Sequence, residues 1–361
     1  MYTWSLDDLY KGYDQNFTKD LETLEELVKN INELSSNLND KNDLIQFMKL
    51  DAKYSALARN LSAFVSLNLA TNSNDSKSNQ YYGVLSNLLS NSAKSFALFN
   101  SFVFKNKENL KDWESDEFIK EHSFILNEIV EQGKHQLSDD VEEVIAKMQI
   151  NASSAWAKLQ TFLSSNANID FQGQKHTMSS IRNFAYDHDQ EVRKAAYLKE
   201  LELYEKIDDA VAFSLNSIKG EVNTVNELRS YENSLDKTLK DSRLSKESLD
   251  ALFIAMEESM PSFRKYLKHK AKLLGHENGL PWYDLFAPVS QGDPITYTVE
   301  ESRDFIVNSF ADFSQDLSDL AAKAYDEKWI DFLPREGKRD GAFCSNLPQI
   351  KQSRILANFD G

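Results

Sequence analysis

Apolar residues in this chain recur in steps of three and four over most of its length, the spacing that places side chains on one face of an α-helix. The first such run contains Leu21, Leu24, Val28, Ile31 and Leu34. Glycine and proline, which most often interrupt helices, number only 11 and 6 among 361 residues. This scarcity excludes collagen-like, low-complexity and turn-rich all-β folds. The pattern therefore predicts a mainly α protein.

Further runs with the same spacing predict the positions of the other long helices. They cover residues 43–70, 81–105, 117–131, 189–222, 246–274 and 300–329. The polar stretch 71–79 predicts a loop, and Ser138 predicts the N-cap of another helix, because its hydroxyl suits the first free N–H groups. Asp187 or Asp189 is expected to cap the helix over 189–222, which shows no break. Pro261 is expected to kink or restart its helix, which Gly275 ends.

Two regions lack the helical spacing and predict short strands. In residues 169–177 a glycine lies between two short segments in which polar and apolar residues alternate, and this pattern indicates a small hairpin. At the C-terminal end, residues 337–345 and 354–359 predict two strands separated by Asn346-Leu-Pro-Gln. The segment between Gly279 and Pro294 is rich in proline and aromatic residues and predicts a long loop that is functional or locks domains together.

Charge and cysteine content limit the possible partners. The chain carries 57 acidic and 41 basic residues, a net charge of −16, which repels a nucleic-acid backbone. Its one cysteine, Cys344, has no partner for an internal disulfide, as is typical of a reducing compartment. No stretch approaches the roughly 18 apolar residues that span a bilayer, and the first residues do not form a signal peptide. We therefore expect a cytoplasmic protein that binds neither nucleic acid nor membranes.

Simple catalytic motifs are missing from the sequence. A zinc-protease helix needs two histidines four residues apart, and the six histidines, at positions 122, 135, 176, 188, 269 and 276, include no such pair. His276-Glu277 begins the motif without completing it, so His276 is interpreted as a loop histidine after a helix end. His188 lies between two capping aspartates, and His269 lies among lysines in water. A cysteine-dependent enzyme that uses Cys344 remains an alternative.

The C-terminal strands offer a different kind of site. Gly341, Ala342 and Phe343 lie in a predicted short strand that follows Lys338 and Arg339. A strand at a sheet edge leaves backbone N–H and C=O groups free, and extended peptides bind such edges by adding a strand. An ordinary hairpin arm is the alternative.

Several segments of the chain, taken in order, carry a family resemblance. They are WSLDDLY (4–10), DQEVRKAAY (189–197), LRSY (228–231), KLLG (272–275), YDLFAP (283–288), and GKRDGAF (337–343) with ILANF (355–359). With these segments the chain resembles, from its first residues to its last, the oligoendopeptidase F family of zinc metallopeptidases, which are thimet-oligopeptidase-like. Each segment alone is weakly specific, and their shared order carries the assignment.

The resemblance implies a helical, two-lobed peptidase that admits short unstructured peptides into a narrow channel. It divides the chain into N-terminal helical hairpins (1–110), an oligopeptidase F-type helical domain with the small hairpin (111–185), and the first part of a zincin-like catalytic domain (186–361). In the family, zinc is held by an HExxH helix and a later glutamate. This sequence stops before that helix, so no catalytic residue and no metal ligand is assigned here. Gly341, Ala342 and Phe343 match the family strand that binds the substrate backbone.

Two interpretations of the whole chain remain open. In the first, it is the N-terminal portion of a zinc metalloendopeptidase, inactive alone, whose partners are short peptides and the missing C-terminal catalytic half. In the second, it is a non-catalytic helical scaffold that binds peptides or a partner. The unfinished strand pair at the C-terminal end favours the first, because an uncovered sheet is unusual at a natural terminus.

Overall fold

The computed structural model describes residues 2–289 and 296–359 and shows a mainly helical chain with a few short strands. The fold class predicted from the sequence is therefore confirmed. The predicted loop positions Gly292 and Pro294 lie outside the described residues, as does the chain end, residues 360–361. The helices of the first half are α1 (Gln15–Ser35), α2 (Lys41–Thr71), α3 (Ser76–Ser90), α4 (Ala93–Lys105), α5 (Lys107–Trp113), α6 (Glu117–Glu121), α7 (Ser123–Gly133), α8 (Asp139–Gln149) and α9 (Ser153–Asn166).

The rest of the chain contains seven further α-helices within the described ranges and all the strands found there. The helices are α10 (Met178–Asn183), α11 (Gln190–Glu205), α12 (Asp208–Leu228), α13 (Ser234–Asp241), α14 (Lys246–Leu273), α15 (Val299–Ala311) and α16 (Gln315–Asp326). The strands are β1 (Asn168–Phe171), β2 (Gln174–Thr177), β3 (Ile330–Asp331), β4 (Phe343–Leu347) and β5 (Gln352–Leu356). None of the described helices is both long and apolar enough to cross a lipid bilayer.

The main hydrophobic core lies among the N-terminal helices. The apolar stripes of α1 and α2 face each other, and six of their side chains are fully buried: Phe17, Leu24, Ile31, Leu44, Phe47 and Leu61. A capping box starts α2, because the Asp40 and Asp43 carboxylates each accept a backbone N–H of the other. The same core reaches Leu347 and Leu356, so β4 and β5 are anchored to the N-terminal helices.

Two helices predicted to be continuous are each divided in the structure. The run 189–222 breaks at Ile207, whose φ of −130° is not helical. The break lets α11 pack against the β1–β2 hairpin while α12 packs against α9, which one straight helix does not allow. The run 300–329 folds back as α15 and α16, which lie against each other, and Ser318 donates a hydrogen bond to the Val307 carbonyl.

Smaller differences from the prediction occur at other helices. The runs 81–105 and 117–131 are each interrupted once, between α3 and α4 and between α6 and α7. Pro261 does not restart its helix, since α14 is one α-helix on both sides of it. Ser138 precedes α8 as predicted, although its side chain makes no capping bond. Asp189 caps α11, and Gly275 follows α14 with a φ of +81°.

The strands form two small sheets. β1 and β2 make the predicted antiparallel hairpin around Gln172 and Gly173, which both have positive φ, as a tight two-residue turn requires. The C-terminal sheet has the order β3-β5-β4, with β3 parallel and β4 antiparallel to β5. The sequence did not predict β3. β4 begins only at Phe343, because Gly341 has a φ of +78°, which no regular strand adopts.

Candidate functional site at the C-terminal sheet

The segment that leads into β4 begins at Gly337, which is held between the ends of α2 and α9. Its N–H donates to the Ser165 carbonyl at 2.9 Å, and its carbonyl accepts from the Ser73 N–H at 2.8 Å. Its φ is +80°, and an added Cβ would lie 3.3 Å from side-chain atoms of both Asn72 and Asn74. Glycine is therefore required here by both conformation and space.

Lys338 fixes the next turn of this segment from inside the protein. Its ammonium group lies 2.6 Å from the Asp331 carboxylate, and both side chains are fully buried. The same ammonium donates to the carbonyls of Leu333 and Ala357, at 2.9 and 2.5 Å. Burial lowers the pKa of Lys338, and the bond to Asp331 opposes that shift. In the sequence, a lysine next to a glycine and an arginine suggests an exposed side chain. The sequence therefore did not predict the buried ion pair of Lys338 with Asp331.

Asp340 connects the segment to α10 and α11. Its carboxylate accepts from the Arg182 guanidinium at 2.7 Å and is also bonded to the Ser179 hydroxyl. Arg182 in turn donates to Glu200 at 2.8 Å and to the Tyr204 hydroxyl at 3.0 Å. Burial, followed by the hydrogen bond to Glu200, raises the pKa of Tyr204 to about 12, so its hydroxyl stays protonated at neutral pH. Two helices, α10 directly and α11 through Arg182, thus position the chain just before Gly341.

Hydrogen bonds within the sheet show which backbone groups of β5 face β4. The Ile355 N–H donates to the Trp329 carbonyl beside β3, at 2.9 Å. Consecutive residues of a strand direct their backbone groups to opposite sides. The backbone groups of Arg354 and Leu356 therefore point at β4.

One side of β4 is consequently open. Phe343 and Ser345 are paired in register with Leu356 and Arg354, so their backbone groups bond to β5. The N–H and C=O groups of Cys344 and Asn346, the residues between and after them, point to the other side. Among the described residues no strand pairs with that side. The structure thus gives β4 the free edge that the sequence predicted, although the free groups belong to Cys344 and Asn346.

The three predicted binding residues stand at the start of this edge. Gly341 and Ala342 are exposed, and Phe343 is partly buried against Trp4, with ring centroids 6.2 Å apart. The Asn358 amide donates to the Gly341 carbonyl at 2.6 Å. Space around Gly341 is open, with nothing within 4 Å of an added Cβ. Another backbone has room to approach here.

The zinc implied by the resemblance has no fitting site in the part of the chain that the structure describes. No group of three or more His, Cys, Asp or Glu side chains is arranged there to hold a metal ion. His276 follows α14 as expected, but its Nε2 lies 2.6 Å from the buried Asp284 carboxylate. That carboxylate also accepts from the Arg193 guanidinium at 2.8 Å. His276 therefore belongs to a buried charge cluster that ties a loop to α11.

The sequence contains a signal for this cluster, namely that two of its residues lie in segments that carry the family resemblance. Arg193 lies in the segment 189–197 and Asp284 in the segment 283–288, both of which carry the family resemblance. The remaining candidates stay apart from it: His269 is exposed on α14, and Cys344 is exposed on β4.

Comparisons with known proteins match most of the chain. Residues 106–171 match the family model described as Oligopeptidase F, and residues 183–361 match the model described as Peptidase family M3. An oligoendopeptidase F homolog of Mycoplasma pneumoniae is 24% identical over 99% of this chain and 60% of its own length. The oligopeptidase PepF of Bacillus subtilis is 22% identical over 95% of this chain and 52% of its own length.

A solved structure shows the same fold. The oligoendopeptidase F of Enterococcus faecium aligns with a TM-score of 0.69 at 17% sequence identity, over 87% of this chain and 66% of that one. The chain spans between about half and three-fifths of the length of the two curated relatives. The matched segments, the family models and the fold agree, and the chain belongs to peptidase family M3, in its oligoendopeptidase F group.

Proposed function

We propose that this protein acts in the hydrolysis of short, unstructured peptides as part of a zinc oligoendopeptidase, and that this chain supplies a peptide-binding strand edge. The observation that carries the proposal is the open side of β4, with the free backbone groups of Cys344 and Asn346. Membership in peptidase family M3 supports the reaction class. A location in the cytoplasm remains part of the proposal.

Gly341, Ala342 and Phe343 are proposed to receive the substrate backbone at the start of the edge. Gly341 leaves room for close approach, and Phe343 is fixed by its contacts with Trp4 and β5. The anchors at Gly337, Lys338 and Asp340 hold this segment before a substrate arrives, which lowers the ordering cost of binding. An extended peptide gains backbone hydrogen bonds there with little demand on its sequence.

The metal chemistry is proposed to come from outside these 361 residues. The whole sequence contains no two histidines four residues apart. When bound, zinc would supply a polarised water for amide hydrolysis. The chain alone is therefore expected to bind no stoichiometric zinc, to cleave no peptide, and to associate with a polypeptide that supplies the catalytic half. One tightly held zinc per chain by elemental analysis, together with chelator-sensitive cleavage of a fluorogenic peptide, would contradict this.

The peptide edge has a direct test in the variant Asn346→Pro. Proline removes the N–H that points to the open side and places its ring there, while the bonds from β4 to β5 remain. Loss of one hydrogen bond of about 1 kcal/mol, with added steric hindrance, predicts roughly tenfold weaker binding of a labelled neutral heptapeptide by fluorescence anisotropy.

Two controls accompany this variant. Asn346→Ala keeps the N–H and should bind like the unaltered chain. Thermal unfolding of Asn346→Pro should match that of Asn346→Ala, which separates blocked binding from lost folding. Equal affinity for peptide in both variants would exclude β4 as the binding edge.

The alternative, a non-catalytic helical scaffold, predicts the same binding of peptides to β4 but no peptidase activity. Gene sequence beyond the codon of Gly361 separates the two: an HExxH-encoding frame supports the peptidase, and a stop codon directly there favours the scaffold.

A further inference from the structure

A cavity of about 700 Å³ lies beside the segment that leads into β4, between the end of α2, the start of α3 and the middle of α9. Its apolar part is formed by Leu69, Ala70, Ala157 and Phe162, and the rest is lined by hydroxyl and amide side chains together with two cationic ones. The Arg339 N–H donates to the Ala70 carbonyl at 2.8 Å, so the cavity wall and the segment that leads into β4 are joined directly. The cavity is large enough for one or two side chains of a peptide.

The charges around this cavity are of one sign. Among the described residues, Lys158 and Arg339 line it and no acidic side chain does, although the chain carries 57 acidic residues. Within residues 2–289 and 296–359, no carboxylate lies within salt-bridge distance of either cation. Lys158 instead lies over the Tyr82 ring, with its ammonium 5.0 Å from the centroid. The cavity is thus a positive site in a strongly negative protein, where an anion gains two attractive partners.

Arg339 belongs to the cavity and to the peptide edge at once. Its guanidinium carbon lies 5.5 Å from the ring centroid of Phe343, the first residue of β4. Arg339 is thus a neighbour of both the cavity and the first residue of β4.

We propose that this cavity binds a carboxylate of the peptide that lies on β4. The carboxylate belongs either to an aspartate or glutamate side chain or to the C-terminus of the peptide, since both present the same group to Lys158 and Arg339. This inference rests on the proposed function, because it requires a peptide at the β4 edge. It adds a preference for acidic peptides to that function.

The test compares four labelled heptapeptides that differ only in the number and position of their carboxylates. One has a single glutamate and an amidated C-terminus, the second has glutamine in its place, the third has glutamine with a free C-terminal carboxylate, and the fourth has glutamate with a free C-terminus. Binding to the 361-residue chain is measured by fluorescence anisotropy at 50 mM salt. We expect about fivefold tighter binding of a carboxylate peptide than of the neutral one, and a smaller ratio at 500 mM salt because the charges are screened.

Variants locate the preference within the chain. Lys158→Gln and Arg339→Gln should each reduce the ratio of acidic to neutral affinity to below twofold. Lys265→Gln is the matched control, because Lys265 is exposed on α14 and lies outside the cavity, and it should leave the ratio unchanged. The first three peptides distinguish a side-chain carboxylate from a terminal one.

The results that overturn this inference differ from those that overturn the proposed function. Equal affinity for acidic and neutral peptides would exclude the carboxylate site, and so would a preference for acidic peptides that both cavity variants retain. In either case the proposed function still stands if the neutral peptide binds more weakly to Asn346→Pro. Absence of binding by every peptide would reject both.

Discussion

The helices α2 and α14 have similar apolar stripes and opposite surroundings. α2 buries nine of its residues, including Phe47 and Leu61, which are fully enclosed. α14 buries only Lys270 and Ala271, near its C-terminal end. Eight of its large apolar side chains are about half exposed, and no other described helix or strand packs extensively against it. These exposed residues are Leu252, Phe253, Ile254, Met256, Met260, Phe263, Tyr266 and Leu273.

The difference shows that an apolar stripe predicts a helix but not the partner that covers it. In α2 the stripe faces α1, and burial supplies the stability of both helices. In α14 the same kind of stripe forms a large apolar surface of the sort that marks an interaction site. If the association with a catalytic half proposed above takes place, this surface is expected to be covered by it.

The largest expected effect contrasts one phenylalanine from each helix. Phe47→Ala should lower the free energy of unfolding by about 3–5 kcal/mol, because Phe47 is fully buried and stacks on Phe99 at 4.2 Å between centroids. Phe253→Ala should change it by less than about 0.5 kcal/mol, since its side chain is 53% exposed. Urea unfolding of both variants measures the difference. Similar losses would mean that α14 is covered in solution, for example by self-association.

A smaller effect is expected where polar contacts hold the region after α14. Asp284 is fully buried and accepts hydrogen bonds from Arg193 and Gln190, and its carboxylate contacts His276. Asp284→Asn leaves the buried Arg193 without its counter-charge and should cost about 3 kcal/mol. Hydrogen exchange of the α11 amides, compared with urea unfolding, measures this loss.

The control for that variant lies on the same helix. Lys194→Gln changes an exposed residue of α11 and should alter protection by less than about 0.5 kcal/mol. If Asp284→Asn leaves α11 protection unchanged, then apolar packing of α11 on the hairpin, rather than the charge cluster, fixes this part of the chain.

Local sequence patterns predicted which helices and strands form more accurately than they predicted where each one begins and ends. The hairpin around Gly173 and the helix end at Gly275 depend on neighbouring residues alone, and both were predicted. The same holds for the cap of α11, which was expected at Asp187 or Asp189 and is Asp189. The break at Ile207 and the turn between α15 and α16 were missed, because they arise where packing against another element favours a change of direction. Pro261 was expected to kink or restart its helix, and α14 continues through it without a restart.

The candidate site could be predicted only in part for the same reason. Gly341, Ala342 and Phe343 were assigned by family resemblance, and they still await the binding test. The free N–H groups of Cys344 and Asn346 follow from the register with β5, which no local pattern specifies. The buried pair Lys338 and Asp331 could not be predicted either, since its members lie seven positions apart in the sequence.

The sequence by itself determined that this chain is helical, which segments turn, and which family it resembles, because spacing, caps and short motifs act over a few residues. The tertiary structure alone decided which apolar faces are covered, which side of β4 is open, and which charges meet at Asp284 and around the cavity at Lys158. Those features depend on contacts between residues far apart in the chain, and burial and electrostatic energies are set by such contacts.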